Sequence, residues 1–92
     1  KKIALGKVTN YFSNLKVGEF KLESADLQKN DEILITGETT GVLEMKVPEM
    51  RVDLIPVEKI EKGTLFSMPV PRKVRRGDKL YKWVETTPDL MQ

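Results

Sequence analysis

The chain contains neither cysteine nor histidine in its 92 residues. Without cysteine no disulfide can form, so the fold must rest on packing, and this absence fits a reducing, cytoplasmic location. The same two absences remove the thiol nucleophile, the commonest general base and the usual ligands of soft metals. We therefore expect no catalysis by this chain alone, no metal site and no cofactor.

Long apolar runs and a strong excess of one charge are also missing. No apolar run approaches the ~20 residues that a membrane-spanning helix needs, and no signal-peptide pattern opens the chain. The 16 basic and 14 acidic residues leave a net charge of +2, so bulk charge does not require a nucleic-acid partner. The length predicts one domain over residues 1–84, with a frayed tail over 85–92. The start at Lys1 rather than at Met suggests a piece of a longer polypeptide.

One heptad pattern occurs three times: apolar, any residue, basic, Gly or Asn, Asp or Thr, any residue, apolar. The copies are Leu27–Ile33, Ile60–Phe66 and Val74–Leu80. The fourth positions, Asn30, Gly63 and Gly77, hold residues that reach the left-handed backbone region most easily. Because a β-rich apolar run follows each copy, the heptad predicts a tight turn that leads into a strand.

Asp31 and Asp78 occupy the fifth position of two copies. They are candidates for a carboxylate pair or for ligands of a hard cation. The alternative is that each side chain accepts backbone N–H hydrogen bonds within its own turn. Repetition in the same frame favours this structural role.

Short alternating segments predict an all-β fold with no helix of ordinary length. Gly18, Phe20 and Leu22 alternate with polar residues, which is typical of a half-buried strand. Gly6, inside the first predicted strand, indicates a bulge or a close backbone approach. Pro69 favours an edge position for the strand near residues 64–70. We expect a small closed or nearly closed antiparallel β-barrel of about six or seven strands.

A basic stretch follows the apolar strand that ends near residue 70. Its members are Arg72, Lys73, Arg75, Arg76, Lys79 and Lys82, with Asp78 as the one acid among them. Tyr81 and Trp83 come next to them, and cations mixed with aromatic rings suit RNA, because guanidinium groups bind phosphates and rings stack on bases. Two alternatives stay open: a solvated turn that keeps a sheet edge soluble, and docking on an acidic protein surface.

Tyr11 and Phe12 are neighbours in the first predicted strand and must face opposite sides of it. We expect one ring in the core and the other under a loop. An exposed ring at this point would instead indicate a contact between domains.

Four distinctive blocks of sequence run through the chain. They are Gly6–Ser13; Gly37 with Thr39–Gly41; Met50 with Val52–Asp53 and Pro56–Glu58; and Lys62–Gly63 with Lys73–Asp78 and Tyr81. In this order and spacing they closely resemble the C-terminal domain of the peptidase U32 family, from about Ile3 to Lys82. Asn30 departs from that pattern, which usually has glycine there, and the turn tolerates asparagine at small cost.

The resemblance implies a small β-barrel similar to the second domain of elongation factor Tu. It also implies a partner, because the catalytic machinery of that family lies in a separate N-terminal region. Family members are described as collagenase-like proteases, and some relatives take part in hydroxylating tRNA or ribosomal RNA. No catalytic residue carries over, because no matching motif is present in this chain.

Two functions follow as expectations. The first is a non-catalytic accessory barrel that helps a U32-family enzyme to bind an extended substrate, either RNA (tRNA or rRNA) or polypeptide. The second is a purely structural domain that packs on and stabilises the catalytic region or mediates oligomerisation. No membrane partner is expected in either case.

Overall fold

Ten β-strands form the secondary structure of residues 1–85, which are the residues described by the computed structural model. They are β1 (Lys2–Phe12), β2 (Val17–Leu22), β3 (Leu27–Gln28), β4 (Glu32–Gly37), β5 (Gly41–Lys46), β6 (Met50–Val52), β7 (Ile55–Val57), β8 (Lys59–Ile60), β9 (Leu65–Pro69) and β10 (Lys79–Trp83). The all-β prediction is confirmed, since residues 1–85 contain no helix. No helix in this range therefore has the length and hydropathy to cross a membrane. Of the predicted tail, residues 86–92 lie outside the described range.

The expected count of six or seven strands is too low. Three of the ten strands are very short: β3 and β8 have two residues each and β7 has three. Such short strands cannot show a period-2 alternation in sequence. Only Asp53 and Leu54 separate β6 from β7, so these two strands form a tight hairpin.

Eight strands pair antiparallel in the order β5-β4-β10-β1-β2-β9-β6-β7, and β3 and β8 form a separate two-stranded ribbon. The edge strands β5 and β7 share no ladder within residues 1–85, so closure into a barrel is not confirmed. Main-chain bonds from the turn after β3 reach Val47 beyond β5 (Asn30 N to Val47 O, 2.9 Å) and Glu58 beyond β7 (Lys29 N to Glu58 O, 2.9 Å). The ribbon thus lies between the two edges.

The proline argument for an edge strand is wrong for β9. This strand pairs with β2 over five residues and with β6 at one position. Pro69 is its last residue, where a missing N–H removes little of the ladder.

The long strand β1 pairs with β10 on one side and β2 on the other, and its register shifts twice, between Ala4 and Gly6 and between Val8 and Asn10. A Cβ on Gly6 would overlap the main-chain oxygen of Lys21. Only glycine allows β1 and β2 to approach this closely, which agrees with the bulge or close approach predicted at Gly6.

The core lies between the inner faces of the sheet and the β3–β8 ribbon. Phe20 of β2 and Phe66 of β9 are cross-strand partners whose rings stack with centroids 5.5 Å apart. The other buried apolar residues of the cluster are Leu5, Val8, Leu22, Leu27, Ile33, Ile35, Leu43, Val47, Met50, Ile60, Met68, Val70, Val74 and Leu80. The predicted alternation of β2 is present, with Gly18, Phe20 and Leu22 buried.

Candidate functional site

The three heptads form three similar turns. In each, the fourth residue has a positive φ: 75° at Asn30, 92° at Gly63 and 91° at Gly77. The fifth residue donates its N–H to the carbonyl three positions earlier, with N···O distances of 3.1, 3.1 and 2.9 Å at residues 31, 64 and 78. A positive φ at the third residue of a four-residue turn is the geometry that glycine and asparagine adopt at least cost.

The aspartates of the first and third heptads accept hydrogen bonds from their own turns. Asp31 Oδ2 accepts the N–H of Gln28 at 2.9 Å, and Asp78 Oδ2 accepts the N–H of Arg75 at the same distance. The two carboxylates therefore lie in separate turns, and each accepts a backbone hydrogen bond within its own turn. Within residues 1–85 no three acidic side chains lie close enough to hold a metal ion together.

Asp78 is the more enclosed of the two aspartates, with 7% of its surface exposed. Its Oδ2 also accepts a hydrogen bond from the hydroxyl of Thr40, which is buried too. The carboxyl group lies against Gly37, where an added Cβ would overlap Oδ1. Asp78 thus joins the third turn, which belongs to the basic stretch, to the β4–β5 hairpin.

The six predicted cations do not form one patch. Arg72 donates from its guanidinium to the carbonyl oxygens of Thr40 (2.7 Å) and Val42 (2.8 Å), at the outer edge of β5. Lys82 is turned inward, with a side chain 19% exposed, and its Nζ lies 3.7 Å from Asp31 Oδ2. Lys79 lies beside Lys7 in the β1–β10 register, on another surface. Three of the six remain together.

Lys73, Arg75 and Arg76 line one open groove with a volume of about 280 Å³. The opposite wall comes from β1 and the turn after it, through Asn10, Tyr11 and Ser13, with Val74 at the base. Arg76 is held along β1, because its Nε donates to Thr9 O at 3.0 Å. Among the described residues no carboxylate lies within ion-pair distance of these three cations.

The aromatic rings predicted to accompany the cations lie elsewhere. Tyr81 pairs with Ala4 across the β1–β10 ladder, and Lys2 Nζ lies 4.5 Å from the centre of its ring. Trp83 pairs with Lys2 at the far end of β10. Neither ring lines the groove, because β10 carries both away from the third turn.

Tyr11 supplies the aromatic ring of the groove, and sequence reasoning did not assign it this role. Tyr11 lies in one of the distinctive sequence blocks, yet only the pairing of β1 with the segment after Val74 brings it beside the cations. Two main-chain bonds make this pairing: Gly77 N to Val8 O (2.9 Å) and Val8 N to Asp78 O (2.8 Å). The groove therefore combines one aromatic ring with three cations.

Comparisons with known proteins give relatives and a matching fold. A collagenase of Porphyromonas gingivalis strain W83 is 54% identical over 82 residues, which cover 89% of this chain and 20% of the relative. An uncharacterized protease of Methanocaldococcus jannaschii is 37% identical over 86 residues, which cover 94% of this chain and 21% of that protein. The chain thus spans about a fifth of the length of the curated relatives it matches. No protein-family model matches the chain.

Among solved structures, the chain is similar to the crystal structure of the C-terminal domain of a Geobacillus thermoleovorans protein assigned to the U32 peptidases. The TM-score is 0.82 at 12% identity, over 88% of this chain and 92% of that one. A selenomethionine variant of the same domain gives a TM-score of 0.80 at 11% identity, over 85% of this chain and 96% of that one. At this identity the likeness establishes the fold.

Proposed function

Because this chain belongs to the peptidase U32 family, we propose that it is a non-catalytic accessory domain that helps a longer parent protein to hold an extended anionic substrate. RNA is the substrate class that the groove suits best. The chemistry itself would belong to the remaining four-fifths or so of the parent, as judged from the lengths of the relatives.

The groove of Lys73, Arg75, Arg76 and Tyr11 is the observation that supports this proposal. Three cations that have no carboxylate partner within residues 1–85 can each bind a phosphate, and their charges favour an anion strongly at low salt. A tyrosine ring offers a stacking surface that accepts any base. The groove is small and open, so it suits a stretch of polymer better than an enclosed small molecule.

The test is the binding of tRNA to the full-length parent at several salt concentrations. Replacing Arg75 and Arg76 by glutamate should weaken binding and make the dependence of log affinity on log salt less steep by about 1–2 units, because two phosphate contacts are lost. An acidic polypeptide that competes with tRNA for the groove would support the same surface with a different substrate.

The repeated turns provide a matched control. Lys29 and Lys62 occupy the position of Arg76 in the other two heptads, and both are exposed. Replacing these two lysines by glutamate changes the net charge by the same amount, in the same type of turn, away from the groove. Equal weakening by both double variants would show only a general charge effect, and unchanged binding by the arginine pair would contradict the proposal.

A further inference from the structure

A second surface, beside the β6–β7 hairpin, is apolar. Four exposed apolar side chains form it: Phe12 (40% exposed), Leu15 (71%), Leu54 (83%) and Leu65 (47%). Phe12, Leu54 and Leu65 line a groove of about 470 Å³, and Leu15 and Leu54 line an adjoining one of about 310 Å³. The two grooves share Leu54, so we treat these four residues as one surface, the apolar face.

Leu54 stands in a position that folding alone does not favour. It is the second residue of the two-residue loop between β6 and β7, where Asp53 has a φ of 52° and Leu54 a φ of 71°. Hairpin loops with two positive φ angles strongly prefer Asn-Gly or Asp-Gly. A bulky leucine there is strained, and its side chain gains nothing from the core because most of it faces solvent.

The exposed Phe12 gives an independent indication. Tyr11, its neighbour in β1, is partly buried against the core and also lines the basic groove, whereas Phe12 is exposed and lines the larger apolar groove. An exposed ring at this position indicates a contact between domains, as the sequence had suggested. The polar residues around the ring have mixed charges, with Glu19, Arg51 and Asp53 lining the same groove. This mixture suits a protein surface and does not suit a polyanion.

The apolar area of this face and the length of the related proteins indicate which protein partner could bind it. The four side chains expose on the order of 400 Å² of apolar area, less than the ~800 Å² per partner that a stable complex between free proteins buries. A tethered partner needs less area, because a short linker gives an effective concentration in the millimolar range. Outside the matched region, the relatives have about four times the length of that region.

We propose that the apolar face docks an apolar surface of the remaining region of the same parent polypeptide, with Leu54 as the central anchor. This inference depends on the accessory-domain part of the proposed function, in which the chain is one domain of a longer protein, and not on RNA binding. The apolar face and the basic groove share no lining residue, so docking here requires no residue of the basic groove.

Hydrogen exchange of the β6–β7 hairpin tests the proposal in two proteins, the full-length parent and this chain alone. A related domain has been crystallised alone, so the isolated chain is a sound reference. We expect the amides of residues 52–55 to exchange at least tenfold more slowly in the parent. Leu54→Asp should abolish that difference without unfolding the domain, because aspartate tolerates a positive φ better than leucine.

Val42→Asp is the matched control. Val42 is an exposed apolar strand residue that lines neither apolar groove, and the substitution adds the same charge. It should leave the slow exchange of the hairpin in the parent intact. Equal exchange in parent and isolated chain, or equal effects of both substitutions, would overturn the proposal.

Two further measurements separate the alternatives. Sedimentation of the isolated chain that shows self-association abolished by Leu54→Asp would assign the face to a second copy and overturn the choice of partner. If the Arg75/Arg76 variant loses tRNA binding but the hairpin amides still exchange slowly in the parent, RNA binding and docking through Leu54 are separate properties, as we expect. Docking can therefore fail while RNA binding stands, and the reverse also holds.

Discussion

Replacing Asp78 by alanine tests whether a buried carboxylate holds the third turn in place. Two donors, the hydroxyl of Thr40 and the N–H of Arg75, would lose their acceptor at a site where Asp78 is 7% exposed. Each unsatisfied buried donor costs about 1–3 kcal/mol. Removing the carboxylate also removes the cost of burying its charge, which offsets part of this loss. We therefore expect the free energy of unfolding to fall by about 2–4 kcal/mol. The total stability of a domain of this length is about 5–14 kcal/mol.

The first heptad supplies the control for this prediction. Asp31 occupies the same position and accepts the N–H of Gln28 at 2.9 Å, but it is only half-buried and its bond is exposed. Water replaces the lost acceptor, and Lys82, which loses its contact with Asp31, keeps its hydrogen bond to Asp26 O (3.0 Å). Asp31→Ala should therefore cost only about 0.5–1 kcal/mol. Urea unfolding of the wild type and both variants measures the difference, with the m-value expected to stay unchanged.

A comparable loss in both variants would refute the reasoning, because burial would then not decide the cost. A double-mutant cycle with Gly37→Ala adds a geometric check. In the wild type the new Cβ would overlap Oδ1 of Asp78, so the substitution should be severe. In the Asp78→Ala background the same methyl group enters vacated space, and the two substitutions should couple by about 1 kcal/mol or more.

Two other predictions follow from single contacts. Gly6→Ala should cost about 3 kcal/mol or more of stability, because its Cβ would overlap the main-chain oxygen of Lys21. Gly77→Ala should cost only about 1–2 kcal/mol, because the space around Gly77 is open and only its φ of 91° disfavours alanine. Thermal melts compare the two, and an equal loss would contradict the steric argument. Arg72→Ala leaves two carbonyl oxygens at the edge of β5 without their donor, so we expect a loss of stability of about 1 kcal/mol. The exposed edge should also make the domain aggregate faster, as measured by light scattering. An unchanged aggregation rate would contradict a protective role for Arg72.

Local patterns predicted much of the fold because turns and strand alternation depend on near neighbours in the chain. The heptad located the positive-φ residues Asn30, Gly63 and Gly77 correctly, since few other residues adopt that conformation. The number of strands could not be predicted, because β3, β7 and β8 are too short to carry a pattern. The order of the sheet and the place of the β3–β8 ribbon between its two edges depend on pairing between distant segments, which no local pattern encodes.

The candidate site was predicted only in part. The sequence located the cations in one stretch, but strand geometry places Lys79 and Lys82 on different surfaces. Arg72 is hydrogen-bonded to main-chain carbonyls at the edge of β5. Tyr81 and Trp83 are close to the cations in sequence, but β10 places both rings away from the groove. Tyr11 joins the groove through a pairing between distant segments.

The sequence by itself determined the all-β character, the three turns and the stretch of basic residues, because each depends on residue types within a few positions of one another. The tertiary structure decided which of those charges share a groove and which apolar side chains stay exposed. Both outcomes depend on strand pairing and burial, which bring together residues that are far apart in the chain.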